Sequence, residues 1–423
     1  MLFFREYVER LRAFSAPAKR FLLANVLVSL GSSLFSLFFN IYVLQLGHKQ
    51  DFIGLLAALP PLAVALCSVP AGAWGDRVGH RRALLWGGIL VALGMLGAVV
   101  FAQPIVLIVS MVLTGIGSAL WQVISAPFMV EESREHERVH LFSVQFALTT
   151  ASGFFGNLLG GVLAPLFAQM TGGSSQNALV YQLTLTVAVA LALLGLLPLL
   201  GLPRLEGEQH RERKNLRPRL NTPYALLLKL LLPHLLLGLG AGLFIPFLNV
   251  FFKLHFHVSD GTLGVLFAGG ALTMALASLM APPLAHRLGK VSAMVWTQAL
   301  SIPFLIALGF VPVLEVAVVS FLLRGALMPM SAPIYSLFLM DQVSPQDRAT
   351  VSGWSTLGWN LCFAVSAWLS GHLQVSWGFP TIFVVVCLIY GASILLQKVL
   401  FTPLEHARAA REAEPPPVQK LQC

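Results

Sequence analysis

The sequence predicts an all-α membrane protein: twelve transmembrane helices in two parallel six-helix repeats, with both termini in the cytoplasm. Three observations carry this. Of 423 residues, 57% are hydrophobic and only 11% charged; apolar runs of spanning length follow one another along the chain; and the second half matches the first at an offset of 210 residues. Ordinary soluble domains carry about 25% charged residues, so composition alone excludes one. Lys and Arg outnumber Asp and Glu by 27 to 18. Membrane proteins concentrate such cations in cytoplasmic loops, so the excess calls for no nucleic-acid partner. Cys67, Cys362, Cys387 and Cys423 show no paired spacing and are read as free thiols, with neither a disulfide framework nor a metal site.

A hydrocarbon core about 30 Å thick needs about 20 apolar residues at 1.5 Å rise. Such runs fall at 20–46, 52–74, 83–102, 105–130, 141–168 and 179–201, then at 224–252, 261–284, 293–311, 313–340, 350–374 and 380–400. Gln103-Pro104 and Pro312 interrupt stretches that would otherwise cross twice, and are read as tight hairpins. The one long polar segment, carrying Arg204, Arg211, Arg213, Lys214, Arg217 and Arg219, divides the chain. The expected organisation is a cytoplasmic amphipathic start (1–19), a six-helix bundle (20–201), a cytoplasmic linker (202–222), a second six-helix bundle (223–400) and a cytoplasmic tail (401–423). Placing the N-terminus inside puts 24 of the 27 cations in the cytoplasm, as the positive-inside rule requires. Lys49 and Lys253 fall outside, and Arg324 lies within a span. The first apolar run is too long for a signal-peptide core, so no cleavable signal is expected. Phe3, Phe4, Tyr7, Val8, Leu11 and Phe14 recur at helical spacing, the pattern of an interfacial helix or of a frayed, incidentally amphipathic start.

The internal repeat pairs Arg77 with Arg287, Gly79 with Gly289, Trp86 with Trp296, Arg138 with Arg348 and Gly161 with Gly371. With one residue of slack, Phe38 to Asn40 matches Phe247 to Asn249. Six spans per repeat is an even number, so both halves enter the membrane alike, as repeats about an axis along the membrane normal require. A cleft is then expected at their interface near the bilayer midplane.

After the second span comes Gly72-Ala73-Trp74-Gly75-Asp76-Arg77-Val78-Gly79-His80-Arg81-Arg82. It reads as two tight turns, at Gly75 and Gly79, carrying a carboxylate and a cationic cluster: a charged latch, with Gly72 admitting a neighbouring helix. The segment resembles the signature loop of the major facilitator superfamily, with a degenerate copy at Ala285 to Lys290 in the mirror loop. Trp74 and His80 depart from the usual Leu and Arg. The resemblance implies an alternating-access carrier in which Gly72, Asp76, Arg77, Gly79, Arg81 and Arg287 take part in gating; topology-setting alone would also explain the arginines. Gly153, Gly156, Gly160 and Gly161 resemble the glycine-rich stretch of the family's twelve-helix drug and proton antiporters, with Leu159 where a Pro is usual, and the resemblance adds Gly153, Gly156 and Gly160 to the candidate gating residues. Close helix packing would explain those glycines equally well. The Arg often found on span four of such antiporters is absent.

In lipid, polar side chains face protein or a water-filled cavity. Span one carries Asn25, Ser29, Ser32, Ser33, Ser36 and Asn40 on one face, span four Thr114, Ser118, Trp121, Gln122 and Ser125, and span ten Arg324, Met328, Ser331 and Tyr335. Spans five and eleven add Gln145, Thr149 and Ser152, and Ser355, Trp359 and Asn360. The candidate substrate-binding residues are Arg324, Gln122, Trp121, Asn40, Asn249, Gln145, Tyr335, Trp359 and Asn360. A cation in mid-membrane costs at least a few kcal/mol unless paired or hydrated, and no Asp or Glu lies deep in any span. The cavity is therefore expected to be electropositive and ill-suited to lipophilic cations. Arg324 either binds an anionic or dipolar group of the substrate or organises facing helices. For proton coupling, His234, His372, Glu315 and Asp51 are poor candidates.

No GxSxG, paired intramembrane aspartates or nucleotide-binding loop occurs, so neither an enzyme nor an ATP-driven pump is expected, and no cofactor. The leading expectation is a monomeric secondary transporter of the inner (plasma) membrane that exports amphipathic small molecules, with protons as candidate coupling ion. The alternative is uniport or symport of small anionic or neutral metabolites. A receptor-like or lipid-handling role also fits a wide aromatic cavity. Ser344-Pro345-Gln346-Asp347 has the form of a helix start with a Ser cap.

Overall fold

The computed structural model describes residues 14–172, 177–201 and 221–413. The amphipathic start before Phe14, the linker cations Arg204 to Arg219 and the tail from 414 lie outside the described residues. All regular structure among the described residues is helical. The first half comprises α1 (Ala16–Gln45), α2 (Gln50–Val78), α3 (His80–Val100), α4 (Pro104–Glu131), α5 (Glu135–Met170), α6 (Ala178–Leu194) and the short α7 (Leu197–Leu200). The second comprises α8 (Tyr224–Phe244), a 3-10 turn (Ile245–Phe247), α9 (Leu248–His255), α10 (Asp260–Leu288), α11 (Lys290–Phe310), α12 (Leu314–Gln342) and α13 (Arg348–Ala413). Three-residue connectors join α3 to α4 and α11 to α12, where the sequence predicts hairpins. Leu66, Val69, Trp86, Trp296, Trp377 and Leu388 are each more than half exposed, an apolar exterior suited to lipid rather than water.

Eleven helical stretches among the described residues are long and apolar enough to cross a membrane, one fewer than the sequence predicts, because α13 runs on for 66 residues through a non-helical Gly378 (φ 74). At that glycine the chain reverses. The first arm runs from Trp359, beside Gly238, to Ser370, whose hydroxyl donates to the Leu243 carbonyl. The second returns from Phe383, against Phe244, to Ser393, which donates to the Pro233 carbonyl.

The end of the bundle where α1 begins is termed proximal and the opposite end distal. Contacts between the halves gather at the distal end. A Cβ on Gly371 would lie 2.4 Å from the Gln50 carbonyl oxygen and 3.0 Å from Gly54 Cα, and one on Gly264 would lie 2.4 Å from Gly161 Cα. Gly54 and Gly264 are repeat mates, as are Gly161 and Gly371, so the two seams are one contact used twice. Between them lies a reciprocal pair. Asn40 Nδ2 donates to the Pro246 carbonyl at 2.6 Å, and Asn249 Nδ2 donates to the Leu37 carbonyl at 2.7 Å. Each asparagine thus addresses the carbonyl three residues before its mate. Pro246 supplies no N–H and breaks the helix, which leaves carbonyls in need of donors. Tyr181 Oη adds a 3.0 Å bond to Asp260, which also pairs with Lys253 at 2.5 Å.

At the proximal end, the following side-chain ties among the described residues run within each half. His80 Nδ1 lies 2.8 Å from Glu131, and its repeat mate Lys290 pairs with Asp341, the mate of Glu131. Gly79 (φ 93) and Gly289 (φ 85) precede them in the positive-φ conformation that glycine tolerates. Glu405 accepts from the Lys290 N–H at 2.8 Å, a carboxylate at the start of α11. Arg20 and Arg81 donate to the Gly201 and Leu200 carbonyls at the end of α7. Three sequence expectations are corrected. Gly75 forms no turn: it lies inside α2, and only Gly79 turns the chain. The close approach there belongs to Gly75, whose Cβ would lie 2.1 Å from Ile124 Cδ1, whereas Gly72 faces Val123 at an ordinary 3.5 Å. The helix after Ser344 begins only at Arg348, because Asp347 turns its carboxylate to Ser344 Oγ and to the N–H and Oγ of Thr222.

These ties can be tested one by one. Removing one clasp hydrogen bond, worth roughly 1 kcal/mol within a membrane, shifts an opening equilibrium about fivefold. Asn40→Ala and Asn249→Ala should each raise the distal-open population by that factor, read as lengthened distances between spin labels at Lys49 and His257; unchanged distances in both variants would leave the clasp no gating role. Separately, the Thr222 hydrogen bonds hold the Asp347 carboxyl below its ordinary range. Its contribution is therefore complete at neutral pH and fades as pH falls through that lowered value. Asp347→Ala should lower the melting temperature at neutral pH, and the gap to wild type should narrow in acid.

Candidate functional site

The distal contacts leave a cavity of about 620 Å³ between the halves. α1 supplies much of its polar wall through Ser32, Ser33, Ser36 and Asn40, joined by Thr114 and Ser118 of α4, Asn157 of α5 and Asn249 of α9. The serine-rich face of α1 thus lines the cavity, as its spacing predicts. Ile245 and Pro246 at the broken helix complete the wall, which is where irregular backbone is tolerated at membrane depth.

Among the described residues, no ionisable side chain lines this central cavity. The expectation that Arg324 makes it electropositive is therefore corrected. Arg324 lies on the face of α12 turned toward α8 and the second arm of α13, where its guanidinium stacks 4.5 Å from the Phe244 centroid and 5.8 Å from that of Tyr390. It borders a second cavity of about 290 Å³, lined by second-half helices alone. Met328, Ser331 and Tyr335 line the same cavity, so the whole predicted polar stripe of span ten does face one space. His234 stacks on Tyr335 at 4.2 Å and 10°, and lies 4.8 Å from Trp359. Ile245 belongs to the walls of both cavities.

Arg324 is 6% exposed, and its one hydrogen bond among the described residues runs from Nη2 to the Tyr390 hydroxyl at 3.4 Å. Nε is buried without a partner. Cation–π contacts contribute about 0.5–2 kcal/mol, less than the several kcal/mol that burying an ion costs. The arrangement leaves a guanidinium with unused donors facing a mostly apolar space. Gln298 Nε2, in the same wall, is a second buried donor without a partner; its Oε1 accepts from Gln397 at 2.9 Å.

The other predicted substrate residues lie elsewhere. Trp121 stacks on Phe21, with Nε1 3.4 Å from Asn25 Oδ1; Asn360 bonds the Thr356 carbonyl of its own helix; Gln122 is exposed and Gln145 half-buried. None of these four lines either cavity. Sequence reasoning missed Tyr390, Gln298 and Gln397, although a polar-residue scan extended to spans nine and twelve would have flagged the two glutamines. In the signature loop, Asp76 and Arg77 are exposed, Asp76 lies 3.5 Å from His80 Nε2, and Arg287 is exposed in the mirror loop. The glycine run on α5 divides its work. A Cβ on Gly156 would strike the Leu30 carbonyl at 2.7 Å, and one on Gly160 would meet Phe38 at 2.8 Å, both within the first half. Gly153 has room, with Ala271 of the opposite half at an ordinary 3.9 Å, so the tight contact across the halves falls to Gly161. Among the described residues no group of metal-binding side chains occurs. Cys67, Cys362 and Cys387 are free thiols, and Cys423 lies outside the described residues.

Comparison with known proteins bears on the family. Over 147 residues the chain is 32% identical to the multidrug resistance protein MdtH of Klebsiella pneumoniae, a match covering 34% of this chain and 37% of that protein. It is 30% identical over 171 residues to the uncharacterized transporter YycB of Bacillus subtilis, covering 40% and 38%. The matched region thus spans well under half the length of these relatives. Among solved structures, a mutant form of the nucleoside transporter NupG superposes with a TM-score of 0.73 at 14% identity, covering 92% of this chain and 100% of that one. A bacterial homologue of the iron transporter ferroportin, in an inward-facing state, gives 0.70 at 16% identity, covering 92% and 98%. At such identities the likeness is one of fold. The profile of the Major Facilitator Superfamily matches residues 21–234 and 230–422, one match to each half. The chain is a multi-pass membrane transporter and belongs to the Major Facilitator Superfamily.

Proposed function

We propose that this protein is a secondary active exporter of amphipathic small molecules, working by alternating access across the inner membrane of the cell. The observation that carries the reading is the disposition of contacts around the central cavity: the halves meet at the distal end, while the proximal ties described above lie within each half. Such an arrangement suits two six-helix bundles, 20–201 and 223–400, rocking about a midplane site. Counting the two arms of α13 separately gives twelve crossings. The cation distribution supports a cytoplasmic proximal end and cytoplasmic termini, and on that reading this conformation opens inward.

Within that cycle Gly72, Asp76, Arg77, Gly79, Arg81 and Arg287 form the proximal latch. His80, which stands at the position of the family's usual Arg, holds Glu131 at 2.8 Å through Nδ1. The similarity to the multidrug resistance protein MdtH supports drug-type efflux; protons as the coupling ion and a monomer as the working unit are further parts of the proposal. A second reading, uptake or exchange of small anionic or neutral metabolites, is favoured by Arg324.

The test is dye movement in proteoliposomes under an imposed pH gradient. Gradient-driven movement of amphipathic dyes is expected. Asp76→Asn should slow it roughly tenfold, equivalent to about 1.4 kcal/mol on the rate-limiting conformational step, with dye binding in detergent nearly unchanged. Movement of none of the dyes, with or without a gradient, would replace the exporter reading with that of a narrow metabolite carrier.

A further inference from the structure

The second-half cavity has chemistry that the central cavity lacks. Of the five N–H donors on a guanidinium, Arg324 uses one, and among the described residues no carboxylate pairs with it. Gln298 Nε2 is a second unpartnered donor in the same wall. A further part of the wall is aromatic: the Tyr335, His234 and Trp359 rings lie side by side at stacking distances of 4.2 and 4.8 Å. At the corresponding place in the first half, Asn25, Trp121 and Thr149 satisfy one another, with Asn25 Nδ2 donating to Thr149 at 2.8 Å. The repeat mate of Arg324 is Thr114. The cationic aromatic pocket is thus built in one half only, which packing symmetry does not require.

We propose that this pocket recognises organic anions, specifically a planar aromatic carboxylate or sulfonate. The charged head accepts hydrogen bonds from Arg324 and Gln298, and the ring system lies against His234 and Trp359. The proposal rests on the transporter reading and names its substrate class. A volume of about 290 Å³ lies just below the roughly 300–1,000 Å³ usual for small-molecule sites, which suits one or two fused rings. Ile245, shared by both cavities at the break after α8, gives the pocket a common wall with the transport path. An organic cation would meet Arg324 with nothing to neutralise it.

The experiment is equilibrium binding to the purified full chain near neutral pH, with three isosteric probes: naphthoate, neutral naphthamide and cationic naphthylmethylammonium. Naphthoate should bind at least about tenfold tighter than the amide, and the ammonium compound should not saturate. Arg324→Gln should cost naphthoate about tenfold while leaving the amide within about twofold, and Trp359→Ala should weaken both alike. Equal affinity for naphthoate and naphthamide, preference for the cation, or no saturable naphthoate binding would each overturn the proposal. Those comparisons use the wild-type protein, so a misfolded variant cannot obscure them. Binding also needs no turnover: a failure of gradient-driven dye movement defeats the exporter reading without touching the anion preference, and equal probe affinities do the reverse.

Discussion

The structure depends on backbone-to-backbone contact between glycines at two seams. Where Gly54 meets Gly371 and Gly161 meets Gly264, no side chain separates the helices, and van der Waals packing substitutes for the hydrophobic drive that lipid cannot supply between apolar helices. These seams bring α1 and the break between α8 and α9 close enough for Asn40 to reach the Pro246 carbonyl and Asn249 the Leu37 carbonyl. They also define the roof of the central cavity. A larger residue at any of the four positions would force the halves apart at the distal end.

Repetition supplies the frame, and departures from it supply the chemistry. Gly79 and Gly289, His80 and Lys290, Glu131 and Asp341 repeat a glycine turn followed by a basic residue held to an acid on the neighbouring helix. The clasp asparagines repeat as well. Arg324 does not, since Thr114 stands at its mate's position and borders the central cavity instead. A central cavity with no ionisable side chain in its wall among the described residues and a charged aromatic pocket inside one half therefore coexist within nearly equivalent helical frames.

Much of this was legible in the sequence. Low charge density, run length and cation placement specified membrane helices and their expected sidedness, and shared Arg, Gly and Trp at one offset specified the repeat. The polar faces of spans one and ten were readable because helical periodicity fixes which residues share a face. Periodicity does not say which neighbour a face meets. Trp121, Gln122, Gln145 and Asn360 lie on faces that line neither cavity.

Tertiary structure alone decided where Arg324 points, because that depends on the rotation of α12 against α8 and α13. It placed His234 in a ring stack with residues about 100 and 125 positions away in sequence and made Gly75 rather than Gly72 the close contact with α4. It also turned two asparagines that look like ligands into a reciprocal fastening. The sequence by itself determined the helices, the repeat and the family resemblance, since those follow from local composition and spacing. The cavities required the fold, since they arise from long-range packing that no local pattern encodes.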